Sequence, residues 1–190
     1  MAEWSRAITW APIWDKNREG VGLEHLLLRD GSADSVVLTL DENGRPFRVA
    51  YQLAWDQSWR LREARLVVTT EGAVRSLRLE TDGKGRWRDG EARALPELDG
   101  CLDLDIWPTP FTNTFPIRRH PLAVGERREL VVAWVAAPEL TVRPVRQRYT
   151  RLAERRYRFE NLAGDGFHAE LAVDEDDVVL DYEGLFRRVC

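Results

Sequence analysis

Three carboxylates recur at odd positions inside the segment LDGCLDLDIWPTPFTNTFPIRR, residues 98–119: Asp99, Asp103 and Asp105 stand with Cys101 and Trp107, whereas Leu98, Leu102, Leu104 and Ile106 take the even positions. Successive side chains of an extended strand point to opposite faces. A leucine face turned to the core would therefore leave the acids, the thiol and the indole together on the other. A merely solvated face seldom uses Cys and Trp. Carboxylates two residues apart on a strand lie roughly 7 Å apart, within the range of the acid pairs that hydrolyse glycosides. The same acids could instead be structural, with Asp99-Gly100 making a turn and the others accepting hydrogen bonds from backbone or arginine. Thr109, Thr112, Asn113 and Thr114 add hydroxyls and an amide, on a chain stiffened by Pro108, Pro110 and Pro116. Arg118 and Arg119 offer bidentate donors suited to phosphate, sulfate or carboxylate. As neighbours on an extended chain they should diverge, so at most one would meet a ligand.

Trp107, Phe111 and Phe115 suit stacking on sugar rings or lining an acyl channel, and equally suit filling a core beneath the loop. Shared parity with the aspartates makes Trp107 the member expected to be exposed. The decisive feature would be a cavity of roughly 300–1,000 Å³ beside Trp107 and Asn113, the usual size of a ligand pocket. Trp4, Trp10, Trp14, Trp55 and Trp59 could extend such a groove.

The elements that must position these residues read as strands. Alternating segments at 34–40, 45–55, 59–70, 74–81, 129–136, 140–149, 155–160, 167–173 and 178–182 are separated by turn signals such as Asn43-Gly44. With the aspartate segment they make about ten strands and almost no helix: a mainly β, mostly antiparallel protein. No Pro-, Gly- or Ser-rich linker divides the chain, so residues 1–190 read as a single domain, a size at which one core suffices. A faint echo at a spacing of about eighty residues, Arg78-Leu79-Glu80 against Arg158-Phe159-Glu160, would mark an internal duplication. Leu185 and Phe186 should pack inward despite lying near the C-terminus.

Composition narrows the partners. A net charge of −4 argues against nucleic acid, whose binders need a basic excess. The start MAEWSRAITW lacks a signal-like cationic and apolar run, and no stretch reaches membrane-span length, so a cytoplasmic protein is expected. Two cysteines, Cys101 and Cys190, are too few for a disulfide framework and read as free thiols. His25, His120 and His168 show no metal-ligand spacing, and no nucleophile elbow or phosphate loop occurs; neither metal nor cofactor is expected. Residues 118–160 hold eleven arginines and residues 161–183 hold eight acids without Lys or Arg. Cross-strand pairing between these stretches is the expected use of that charge.

The motif GCLDLDIWPTPFTNTFPIRR, with Gln147-Arg148-Tyr149 and the closing VVLDYEGLFRRV of residues 178–189, resembles the bacterial family known as Putative glycolipid-binding. The resemblance spans nearly the whole chain. It implies a one-domain spiral β-roll with a cavity or cleft for a glycolipid or another amphiphilic small molecule. On that reading Asp99, Asp103, Asp105, Trp107, Thr109, Phe111, Thr112, Asn113, Arg118, Arg119, Gln147 and Tyr149 are the candidate ligand residues of a non-catalytic protein. The alternative is an enzyme acting on a sugar or lipid-linked substrate with Asp103 or Asp105 as acid or base.

Overall fold

The computed structural model describes residues 5–13, 20–164 and 166–190. Seven strands come first: β1 (Ser5–Pro12), β2 (Leu23–Arg29), β3 (Ser32–Leu40), β4 (Pro46–Trp55), β5 (Leu61–Thr69), β6 (Val74–Thr81) and β7 (Trp87–Asp89). Seven follow: β8 (Asp103–Trp107), β9 (Arg127–Ala136), β10 (Thr141–Ala153), β11 (Arg156–Asn161), β12 (His168–Val173), β13 (Val179–Tyr182) and β14 (Phe186–Arg188). Between β8 and β9 a 3-10 turn (Phe111–Asn113) runs into a short helix, α1 (Thr114–Arg119). All fourteen strands join one sheet in the order β7-β6-β5-β4-β3-β2-β1-β14-β13-β12-β11-β10-β9-β8. Only the β8–β9 pairing is parallel.

Alternation explains how this sheet rolls. On β4, Phe47, Val49, Tyr51, Leu53 and Trp55 are buried while their neighbours face outward, and β3 and β5 follow the same rule. These residues enclose a first core with Trp10 and Leu26. Tyr149, Phe159, Leu171, Tyr182 and Phe186 enclose a second. Strands β8 and β9 divide the two: Leu104, Ile106, Ala133 and Val135 belong to the first core, whereas Trp107 and Leu130 pack against the second. One end of the sheet is thus wound inside the other strands, giving a spiral β-roll rather than a closed barrel. At the opposite edge the Trp87 indole donates to the Cys101 carbonyl at 2.8 Å, and Gly100 N–H donates to Gly85 O at 2.9 Å. Gly85 has φ +97° and a Cβ there would sit 3.1 Å from the Gly100 backbone, so both its conformation and this approach require glycine.

One turn is used five times. Asp41, Asp56, Asp82, Asp89 and Asp174 each accept the backbone N–H groups two and four residues on, at 2.7–3.1 Å. The residue three after each aspartate takes positive φ: Gly44, Trp59, Gly85, Ala92 and Asp177. An aspartate side chain that satisfies two loop amides stabilises the tight reversal. This places Trp59 in a turn, so the expected strand from residue 59 begins instead at Leu61.

Strands β1, β2, β7 and β14 exceed the ten expected from sequence. The echo segments fall in β6, one strand from one edge of the sheet, and in β11, three strands from the other, so they occupy unlike places. The expected cross-strand charge pairing exists between β11 and β12, where Arg156 and Arg158 meet Glu170. Other arginines of the basic stretch pair within it, as Arg146 and Arg148 do with Glu129.

Candidate functional site

Residues 103–117 form a plug between the two cores. Leu104, Ile106, Phe111 and Phe115 turn into the first core, where Phe111 and Phe115 pack on Trp55 at ring-centroid distances of 6.1 and 5.4 Å. Ile117 turns into the second. On the second side, every strand from β8 to β14 except β12 brings a residue to the wall of a cavity of about 310 Å³. Trp107, Trp134, Phe159 and Phe167 supply aromatic faces, with Tyr182 and Phe186 from the last two strands. Asp105, Thr109, Asn113, Gln147 and Asn161 supply polar atoms. The volume lies at the small end of the ligand-pocket range, and the cavity opens beside Trp107 and Asn113, where the sequence left open whether there would be a cavity or a filled core.

Each polar group at the wall is held from behind. Asp105 accepts from the Thr112 hydroxyl at 3.0 Å and from the Gln147 amide at 2.6 Å. Burial pushes its carboxyl above the usual carboxylate range, and the two hydrogen bonds pull the other way. Asn113 accepts the Tyr149 hydroxyl at 2.7 Å and donates to Pro110 O at 3.0 Å, which fixes its amide. Burial, then the charge of Asp105, holds the Tyr182 phenol protonated well above its ordinary range. Gln147 is only 2% exposed, and with its NH2 on Asp105 its Oε1 has no hydrogen-bond partner. A buried acceptor without a donor is costly.

Of the twelve residues singled out from sequence, Asp105, Trp107, Thr109, Asn113 and Gln147 line the cavity. Thr112 and Tyr149 stand directly behind it. The other five lie elsewhere. Asp99 is a surface residue paired with Arg86 at 3.3 Å, and Phe111 is buried in the first core. Asp103 is wholly buried and bound to Arg119 at 2.6 Å, with Arg119 also donating to Leu102 O. Arg118 lies 4.4 Å over the Trp59 ring and donates to Asp176 O. The two arginines diverge as expected, but from a helix turn rather than an extended chain, because residues 114–119 bury Phe115 and Ile117 on opposite cores. Cys101 likewise leaves the aspartate face for the first core: the strand starts only at Asp103, after the turn at Asp99-Gly100. Trp10, Trp55 and Trp59 serve that core rather than a groove; Trp4 and Trp14 lie outside the described residues.

Burial, then the charge of Asp99, pushes the Cys101 thiol up to about 11, whereas Cys190 is exposed. An alkylating reagent at pH 8 should therefore label one thiol in the native protein and two in denaturant. Mass spectrometry of the labelled chain counts them; rapid double labelling of native protein would contradict the buried placement.

Sequence reasoning missed Trp134, Asn161, Phe159, Phe167 and Tyr182, which alternation marks only as inward residues of ordinary strands. It also missed Glu24. This residue of β2 is 1% exposed and its Oε1 accepts from Tyr51 at 2.5 Å, from Ser35 at 2.9 Å and from the cavity residue Thr109 at 2.9 Å. Its Oε2 has no partner. Burial outweighs the three hydroxyls and raises its pKa from 4.5 to about 7. The folded state therefore binds a proton that the unfolded chain releases between those values, and stability falls as pH rises through that window, by on the order of 3 kcal/mol for this group. Glu24→Gln keeps the acceptor oxygen and removes the charge. It should flatten the decline between pH 5 and pH 8 and raise the melting temperature at pH 8 by several degrees. A variant that melts lower than the wild type at pH 8 would show that the carboxylate itself is needed.

Among the described residues no cluster of His, Cys, Asp and Glu is arranged to hold a metal, and no helix is long and apolar enough to cross a membrane. The class of architecture is an inward-wound β-roll with an aromatic-walled cavity that also carries polar groups. The chain belongs to the family described as Putative glycolipid-binding, whose model matches residues 11–188. A crystal structure of a DUF1089 family protein from Pseudomonas aeruginosa is similar to it, with 51% identity and a TM-score of 0.85 over 87% of this chain and 91% of that one. Among curated proteins none matches.

Proposed function

We propose that this protein binds the polar head of a glycolipid, or of a similar amphiphile, in the cavity between Trp107, Trp134 and Gln147. The observation that carries this reading is the cavity's lining, in which aromatic residues stand with Gln147, whose buried Oε1 is an acceptor without a donor. Sugar rings present hydroxyl donors at their edges and apolar C–H faces above and below, which matches both features. A cavity of about 310 Å³ suits a head group rather than a long acyl chain. Asp105 and Asn113, held by second partners, supply orientation, because groups fixed before binding lose little entropy on it. The family description points to the same ligand class.

Two substitutions test the site. Trp134→Ala removes an aromatic wall whose outer neighbour is the exposed Arg143, stacked at 4.7 Å. Gln147→Met removes the orphan acceptor at similar volume. Each should weaken binding of an alkyl glucoside at least tenfold, read by calorimetry, while circular dichroism still shows the folded sheet. Unchanged affinity in both folded variants would remove the cavity from consideration.

A further inference from the structure

The cavity does not end at its two tryptophans. Trp107 and Trp134 also line a second hollow of about 440 Å³, which runs between the β3–β4 turn and the β9–β10 turn. Its floor includes Phe47 and Pro138, and its rim carries Asp41, Glu42 and Glu139 without any Lys or Arg. Asp41 is engaged in its own turn. Glu42 and Glu139 form no ion pair among the described residues, so acceptors free to meet ligand donors remain at the rim.

We infer that this trough is a second subsite, taking the next ring of a glycan whose first ring sits against Gln147, and that it selects against anionic rings. The inference rests on the head-group reading above and extends it. Two hollows that share aromatic residues suit a chain of rings, since each indole can stack on one ring and abut the next. The carboxylate rim is unsuited to an acyl tail, because burying charges against hydrocarbon is costly. It also repels phosphate, sulfate and uronate. No Lys or Arg is among the residues that line either hollow, and Arg143, 4.7 Å over the Trp134 ring, is already engaged with that indole.

The test compares octyl glucoside with octyl maltoside, which differ by one ring, using tryptophan fluorescence for affinity and amide NMR for location. The two-ring probe should bind at least fivefold tighter and should shift the Ala136 and Glu139 amides, which the one-ring probe leaves in place. Ala136 lines the trough and not the cavity. Ala136→Phe should then abolish the fivefold advantage and leave octyl glucoside binding intact. Should that variant fold poorly, the exposed Glu139→Arg tests the same rim, reducing the advantage for the maltoside and newly admitting a two-ring octyl glycoside whose outer ring is a uronate. Equal affinities for the two probes, or an advantage that survives both substitutions, would overturn the second subsite while leaving the first. If neither probe shifts the Gln147 side-chain amide, the head-group reading falls and this inference falls with it.

Discussion

Removal of residues 184–190 should abolish cooperative unfolding near the wild-type melting temperature. The segment contains β14, a strand of three residues that pairs with β1 on one side and with β13 on the other. It is therefore the join between the seven strands β1–β7 and the other six strands of the sheet. Phe186 is 3% exposed in the second core and Leu185 packs against it, each worth roughly 1.5–3 kcal/mol when fully buried. Arg188, almost as deeply buried, donates to Asp174 at 2.7 Å and to the carbonyls of Val178 and Val179. Its loss would take one of two arginines from a largely buried carboxylate, which keeps Arg6 at 2.8 Å and its two backbone donors, and would leave the Val178 and Val179 carbonyls without that donor. Together with the broken strand pairing, these losses are a large fraction of a typical 5–15 kcal/mol stability. Calorimetry of the shortened chain checks this; a melting temperature within two degrees of the full chain would mean that the two halves hold together without β14.

Arg119→Met should destabilise the protein by about 3–5 kcal/mol, the usual cost of removing one partner of a buried ion pair. Asp103 is 0% exposed, and burial raises its pKa even with Arg119 beside it. Without the guanidinium the carboxylate would face the second core unpaired, and the Leu102 carbonyl would lose its donor. Asp103 would then take up a proton more readily still, so the loss should be smaller at pH 5 than at pH 8. Because neither residue lines the cavity, binding of an alkyl glucoside by the folded fraction should be unchanged. Denaturant melts at both pH values give the comparison. A variant as stable as the wild type would make the pair dispensable, and one that is stable but cannot bind would return Asp103 and Arg119 to the site.

What the sequence made legible follows from burial on one face or two. Where a strand has one buried face, as in β3, β4 and β5, alternation shows it directly. Strand β2 was hidden because a buried glutamate, Glu24, stands where the apolar pattern needs a hydrophobic residue, and because LEHLLLR is rich in leucine, a helix former. Strand β8 is covered on both faces, so its aspartates are inward rather than solvated; Asp103 finds Arg119 and Asp105 finds Gln147. The parity of Asp103, Asp105 and Trp107 was readable, and a cavity beside Trp107 was the feature to look for. Its far wall was not, because Trp134, Phe159 and Tyr182 come from strands whose register depends on the roll. Spacing within a motif cannot show which distant residues face it.

The central claim is that the cavity holds the head of an amphiphile. Native mass spectrometry of the protein purified from its own cells tests it most directly. The account predicts that part of the chain carries a noncovalent adduct, released on gentle activation, that loses sugar-ring masses on fragmentation and is missing from Trp134→Ala prepared in the same way. A bare chain in every preparation, or an adduct equally abundant in the folded Trp134→Ala variant, would contradict it.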